Sequence, residues 1–236
     1  MKSIILLISC LFLKLSFADT MLAQWSSPLQ DQTSKRTLMI GTVVTGSLVL
    51  LKSSTIDRFQ ASAQRHGVMS KDMAHFGDIM GQVVPNVLYI GGSLIGANYT
   101  DNKNLYFRRI NVMAQATFYS GVTTMILKRV VNQKRPNSEN RHSFPSGHTT
   151  TAFAFASVVA MEHEWYWGAG AYSIATIVGL SRIHDNAHYL HDVVMGASIG
   201  AAYGIALSKL SLQKKDDFYA LAPVPGGFMI RKEMTF

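Results

Sequence analysis

The sequence predicts an all-α fold, an up-down bundle of about six core helices. Apolar segments of helical length recur at Thr37–Leu51, Ile79–Tyr99, Ile110–Leu127, Thr149–Met161, Trp165–Leu180 and Val193–Leu210, with short polar stretches between them. Strand signal is weak until the C-terminal tail. Many of the segments are rich in Gly, Ala, Ser and Thr, as in MGASIGAAYGIAL from Met195 to Leu207, and small residues let helices approach closely.

Residues 1–18 read as a secretory signal peptide. Lys2 precedes an apolar run from Ile4 to Leu13 that only Ser9 interrupts, and Ser16 and Ala18 are the small residues of a cleavage site. Cys10, the only cysteine, lies inside this leader. The apolar run continues past it to Leu15, unlike a lipid-attachment cysteine. The mature chain then has no cysteine, which excludes disulfides and thiol catalysis. Residues 19–212 form one helical domain, long enough to bury a core. A bilayer span needs about 20 apolar residues. Ile79–Tyr99 and Val193–Leu210 meet that length, Thr37–Leu51 and Thr149–Met161 fall short, and Gln82, Asn86, Asn111 and Gln115 intrude. Segment lengths therefore leave open whether the bundle is membrane-embedded. The tail, residues 213–236, carries a Pro-Gly-Gly turn at Pro225–Gly227 and then alternates Phe228, Ile230, Lys232, Met234, Phe236, which predicts a short hairpin or extended strand.

Hydrophobic residues make up 48% of the chain and charged ones 15%, with a net charge of +8. A basic chain favours anionic partners. No basic run with interleaved aromatics is present, so nucleic acid is not among them.

Three clusters suit a phosphate. In KRVVNQKRP, Lys128 closes a helical segment and Arg135 follows seven residues later, before the break at Pro136. If the helix continued, the two cations would share a face and could grip a tetrahedral oxyanion. Alone, this is no more than a cation-rich helix end. In FPSGHTTTAFAFA, Pro145, Ser146 and Gly147 turn into a helix starting near His148. Backbone N–H groups at such a start attract anions, and an imidazole at its rim can pass a proton. An N-cap serine beside a surface histidine explains the same residues equally well. In SRIHDNAHYLHD, Arg182 adds a further fork, with Ser181–Asn186 expected as a loop. If a helix begins after Asn186, His188 and Asp192 share a face, and a carboxylate on one imidazole nitrogen leaves the other free to attack. His184, His188 and His191 could instead be read as metal ligands. Arg182, and Lys128 and Arg135 if they converge there, would repel a metal. His188 is therefore read as a nucleophile, His184 and His191 as loop or rim residues, and no metal ligand is assigned.

In order, these motifs read K-x6-RP, PSGH and SR-x5-H-x3-D. They resemble the signature of the type 2 phosphatidic acid phosphatase and vanadium haloperoxidase superfamily at every position between Lys128 and Asp192. The resemblance implies a helical hydrolase of phosphomonoesters or diphosphates working through a phosphohistidine on His188. It implies that Asp192 orients His188, that His148 protonates the leaving oxygen and then activates water, and that Lys128, Arg135, Ser146, Gly147 and Arg182 hold the phosphate oxygens. It implies no cofactor. Vanadate enters as an inhibitor or, were the protein a haloperoxidase, as its cofactor. The family's haloperoxidases are much larger, and only eight residues separate Pro136 from Pro145 here. That short connection leaves little roof over the site, which favours a phosphorylated lipid over a soluble phosphomonoester. The same residues would also serve a soluble periplasmic acid phosphatase, and the same helices a non-catalytic membrane component. The expected location is a bacterial envelope, in the inner membrane with a periplasm-facing site or soluble in the periplasm.

Overall fold

The computed structural model of the chain describes residues 20–51, 56–213, 217–224 and 227–234. The leader expected over residues 1–18 lies outside them. A helix over residues 20–30 (α1) leads into α2 (Gln32–Leu50), α3 (Asp57–His66), α4 (Lys71–Gly81) and α5 (Val84–Gly96). A single 3-10 turn, Ala97–Tyr99, precedes α6 (Lys103–Val131), α7 (Gly147–Glu162), α8 (Trp165–His184) and α9 (Leu190–Gln213). The tail forms an antiparallel hairpin of β1 (Asp217–Val224) and β2 (Gly227–Met234), in register from Asp217 opposite Met234 to Val224 opposite Gly227. The fold is all-α, as the periodicity predicts.

Helices α6 to α9 form the centre, with α2 laid on α9, α4 on α8 and α5 on α6. Val112, Met113 and Ala116 of α6 meet Ala152, Ala156 and Val159 of α7, Ala175 and Val178 of α8, and Ile199 and Tyr203 of α9 in one buried cluster. The closest pair is α7 with α9. Gly196, Gly200 and Gly204 repeat every fourth residue and face α7. A Cβ on Gly200 would run into the Thr150 carbonyl oxygen and lie 2.8 Å from the Ala154 nitrogen; one on Gly204 would lie 2.6 Å from Ser157 Cβ. Backbone therefore packs on backbone here, and the site residues at the shared end of α7 and α9 are held by stiff elements.

Three expectations change. Ile79–Tyr99 is not one helix: α4 ends at Gly81, α5 starts at Val84, and the two bend by 57°. Pro85 sits in the first turn of α5, where its missing N–H costs nothing and its fixed φ suits a helix start. The polar intrusion Asn86 is buried and donates from its amide to Thr117 Oγ1 at 2.8 Å, tying α5 to α6. Next, α6 stops at Val131, with Asn132 left-handed at φ 48°, so Lys128 and Arg135 do not share a helix face. Finally, the expected loop Ser181–Asn186 is helical as far as His184.

Among the described residues α9 is the one helix long and apolar enough to cross a membrane, with the bent α4–α5 pair a second if taken as one span. Large apolar side chains are nonetheless exposed on several outer faces: Met39, Ile40 and Val43 on α2, Val87, Leu88 and Ile95 on α5, Phe118, Met125 and Ile126 on α6. Trp165, Tyr166 and Trp167 are exposed at the start of α8.

Gly200→Ala should cost about 1–3 kcal/mol, because the obstructing atoms are backbone and cannot yield. Gly91 lies in a helix interior with nothing within 4 Å of an added Cβ. Gly91→Ala should be neutral or stabilising by about 0.5–1 kcal/mol. Thermal unfolding of the two variants beside the parent checks both.

Candidate active site

The three clusters meet at one end of the bundle, each delivered by a different local device. Helix α8 ends in a left-handed cap: Asn186 has φ 54°, its N–H donates to the Ile183 carbonyl at 3.0 Å, and the Ala187 N–H donates to the Arg182 carbonyl at 3.0 Å. That pair of bonds closes a Schellman motif, with Asn in the one position that demands positive φ. The Gln60 amide donates to Asn186 Oδ1 at 2.7 Å and holds the turn from α3. The chain reverses, and His188 is set into the interior two residues before α9 begins.

His188 and Asp192 meet although the helix starts only at Leu190. His188 Nδ1 lies 3.5 Å from Asp192 Oδ2, and both side chains are almost wholly buried. With Nδ1 turned to the carboxylate, Nε2 is the outward nitrogen. Burial holds the imidazole below its ordinary pKa, against the raising effect of Asp192 and in concert with Lys128 and Arg135. A lowered pKa favours the neutral ring, the form in which an imidazole nitrogen can act as a nucleophile. Asp192 also accepts from Ser143 Oγ at 2.6 Å and from the Tyr189 N–H at 3.0 Å, and its carbonyl accepts from the Ser146 N–H at 3.0 Å.

Ser146 caps α7. Its Oγ accepts from Thr149 Oγ1 at 2.9 Å and from the Thr149 N–H, and the residue is fully buried. The next residue, Gly147, faces Lys128, whose Cε would lie 3.9 Å from an added Cβ. Lys128 donates to the carbonyls of His142 at 2.8 Å and Ser143 at 3.3 Å, so its amine fastens the connection that replaces the expected helix. In that connection the Arg135 N–H donates to the Asn140 carbonyl and the Ser143 N–H to the Gln133 carbonyl, each at 2.9 Å. Arg135 Nε is buried with no hydrogen-bond partner among the described residues. A buried guanidinium N–H left open is a donor for an anion.

His148 stands in the first turn of α7, with its side chain about one-third exposed. Burial, Arg182, His188 and Arg135 press its pKa down to about 4, while Asp78 pulls it up. Arg182 is buried near the end of α8. It donates from Nη1 to Asp78 Oδ1 at 2.6 Å, from Nη2 to Asp185 Oδ2 at 2.7 Å, and from Nε to Ser181 Oγ at 3.1 Å. Arg135 and Arg182 both lower the pKa of His148, and Lys128 and Arg135 that of His188.

The three histidines of SRIHDNAHYLHD do not share one centre: His184 turns away, while His188 and His191 flank Asp192. His184 Nδ1 accepts the Val68 N–H at 3.3 Å, while His191 Nε2 reaches the Gln133 amide at 2.8 Å and Asp192 Oδ1 at 3.1 Å. The rim position expected of His191 is therefore a correction: it is buried between Tyr189 and Phe144, stacked on both rings. Sequence reading also missed Asp78 and Ser143. Ser143 offered no signal beyond adjacency to PSGH. Asp78 lies on a stripe of small residues, Ala74, Gly77 and Gly81, that faces α7 and α8.

The pattern that describes the PAP2 superfamily matches residues 78–216, more than half of the chain and all three motifs. The chain belongs to the PAP2 superfamily. Among curated proteins it is similar to lipid A 1-phosphatase of Porphyromonas gingivalis, 43% identical over 74 residues, which is 30% of this chain and 16% of that protein. It is also similar to lipid A 1-phosphatase of Rhizobium johnstonii, 29% identical over 120 residues, 44% of this chain and 48% of that one. The match thus spans about half or less of the curated relatives' lengths. Among solved structures, a transmembrane PAP2 type phosphatidylglycerolphosphate phosphatase from Bacillus subtilis superposes with a TM-score of 0.55 at 17% identity, covering 80% of this chain and 98% of that one. That likeness is one of fold.

Asn186→Ala and Asn186→Gly both lose the bond to Gln60, but only alanine must force a Cβ into the left-handed region. Chemical denaturation should find the alanine variant less stable than the glycine variant by about 1–2 kcal/mol.

Proposed function

We propose that this PAP2 protein is a metal-independent lipid phosphate phosphatase that works through a phosphohistidine on His188. The observation that carries the reading is the buried His188–Asp192 pair, with Lys128 and Arg135 acting electrostatically on His188 and Arg135 and Arg182 on the partly exposed His148. In the first step His188 Nε2 attacks phosphorus in line. The P–O bond to the lipid breaks, and His148 gives its proton to the leaving oxygen. Asp192 stabilises the charge that grows on the His188 ring. In the second step His148 takes a proton from water, the water oxygen bonds to phosphorus, and the P–N bond breaks to release inorganic phosphate. Arg135, Arg182 and Lys128 hold the equatorial oxygens, with the Gly147 N–H at the α7 start. Ser146 serves here as the cap that points that N–H, its hydroxyl being turned inward. Three cationic side chains supply the charge that a metal would otherwise provide.

His148 must be protonated for the first step, although burial and the cations around it hold its pKa well below neutral. A bound phosphate dianion adjoining the ring offsets the cations and raises that value, so acid and substrate arrive together.

The two lipid A 1-phosphatases make a lipid phosphomonoester the favoured substrate class. The exposed apolar faces of α2, α5 and α6 suit contact with acyl chains, and Trp165, Tyr166 and Trp167 suit an interfacial belt at the end of the bundle away from Arg182. The site end, with the first turn of α7 and the turn before α9, then stands in the headgroup layer. With a signal peptide over residues 1–18 removed and two spans before Lys128, that end faces the periplasm.

Phosphate release from phosphatidic acid, from a lipid 1-phosphate and from a soluble aryl phosphate, all in EDTA, tests the reading. Turnover should persist, be blocked by vanadate and vanish in His188→Ala. His184→Ala, outside that pair, should lose less than tenfold, about 1.4 kcal/mol on the barrier. A folded protein that releases phosphate only when a divalent metal is restored would overturn the mechanism. A periplasm-active reporter fused after Arg141 should be active; activity from a cytoplasm-active reporter alone would reverse the orientation.

A further inference from the structure

Outside the signature residues, one charged group reaches the centre of the site. Asp78 Oδ1 lies 2.6 Å from Arg182 Nη1 and 3.4 Å from His148 Nε2. A single oxygen therefore bridges a proposed phosphate-binding fork and the proposed proton donor, and does so from α4, an element that carries none of the three motifs.

The placement is built by sequence. Ala74, Gly77 and Gly81 bring the α4 backbone against its neighbours: a Cβ on Gly77 would lie 2.7 Å from Ser181 Cβ, and one on Gly81 would lie 2.8 Å from His148 Cβ. Asp78, between the two glycines, emerges where α8 and α7 converge. Its side chain is 38% exposed, whereas that of Arg182 is 6% exposed. The cation is fixed, and the carboxylate can leave. A cavity of about 260 Å³ lined by Lys71, His75, Asp78, His184 and Asp185 adjoins it and gives the carboxylate a cationic neighbour to turn to.

We propose that Asp78 is a positioning and specificity residue: before substrate binds, its carboxylate oxygen stands where a substrate phosphate oxygen will bind, keeping Arg182 and His148 aligned until a phosphate dianion displaces it. The proposal rests on the phosphatase reading. A dianion with three free oxygens can take Arg182 and His148 together with Arg135 and Lys128, which a carboxylate or a monoanionic diester cannot match in charge. The site thus selects terminal phosphate groups by competition. Displaced but close by, Asp78 also remains the counter-charge of His148. The groups that act on that imidazole are Arg182 from α8, His188 from the following turn, Arg135 from the connection after α6, and Asp78 from α4; of these Asp78 alone favours the protonated ring.

Two readouts follow, with opposite consequences for binding and for chemistry. Asp78→Asn removes the competitor, so inorganic phosphate should bind more tightly, by roughly threefold to fivefold for one partly exposed ion pair. The same change removes the counter-charge, so His148 loses its proton at lower pH. Since the first step needs that proton, the alkaline limb of kcat/KM should move to lower pH. Asp78→Glu should restore the limb. Asp185→Asn frees the other end of the same guanidinium, Nη2, and should leave the limb in place.

The experiment is calorimetric titration of the detergent-solubilised full chain and its three variants with inorganic phosphate, followed by pH profiles of kcat/KM, with thermal unfolding to show that each variant is folded. Tighter phosphate binding together with an acid-shifted limb in Asp78→Asn supports the proposal. Unchanged or weaker phosphate binding, or an unmoved limb, overturns it. The titration needs no turnover: a parent protein that binds phosphate without hydrolysing esters would defeat the phosphatase reading, while the ratio of Kd values still judges Asp78.

Discussion

The site end of this molecule depends on one buried carboxylate. Asp192 is fully buried: Ser143 Oγ from the connection after α6 and the Tyr189 N–H in the turn donate to its carboxylate, its backbone carbonyl takes the Ser146 N–H at the α7 start, and the imidazoles of His188 and His191 lie 3.5 and 3.1 Å from its two carboxylate oxygens. A charge taken out of water costs several kcal/mol unless hydrogen bonds replace the solvent. The Ser143 hydroxyl and the Tyr189 N–H do so at Oδ2, and in satisfying it they are themselves placed. The same residue's backbone carbonyl fixes the PSGH turn against α9 through the Ser146 N–H, and its carboxylate faces the ring of His188. Stability and site geometry are one network here, and its members are coupled.

That network would be loose without the helices beneath it. Gly196, Gly200 and Gly204 let α9 lie backbone to backbone on α7, so the first turns of both helices keep a fixed spacing. On the other flank Gly77 and Gly81 bring α4 onto α8 and α7. Small residues thus serve the site from a distance: they set how closely its walls approach. The cations respond to the same confinement. Arg182, buried and gripped by Asp78, Asp185 and Ser181, is held in one orientation, and Arg135 keeps an open donor. Such preorganised groups need little rearrangement when charge develops on a phosphoryl oxygen.

Much of this was legible in the sequence. Helical periodicity marked six segments, and five of them follow single helices while Ile79–Tyr99 runs across the bend between α4 and α5, because apolar spacing is a local property that the core reads directly. The motif residues could be named for the same kind of reason: the chemistry of an anion site needs particular side chains, and their types are visible. Polar helices were less legible. α3, DRFQASAQRH, has no apolar segment to announce it, yet it supplies the Gln60 amide that holds the turn before His188. Boundaries were misplaced where a cap or a bend decided them, at Asn132, at Gln82–Val83 and at Asn186, since these hinge on one residue's backbone conformation.

By itself, the sequence determined the all-α class, the hairpin tail, the superfamily and the inventory of charged and imidazole groups, because composition and spacing are carried by the chain. Only the tertiary structure decided which groups share a space. It placed Arg135 through a connection rather than along a helix face, separated His184 from the two histidines that spacing would have grouped with it, buried His191 against Asp192, and brought Asp78 from a distant helix onto Arg182 and His148. The reason is that electrostatic pairing and burial act through distance in space. A residue fifty positions before the first motif can face its centre only after α4 has packed on α7 and α8, and nothing local in the chain records that contact.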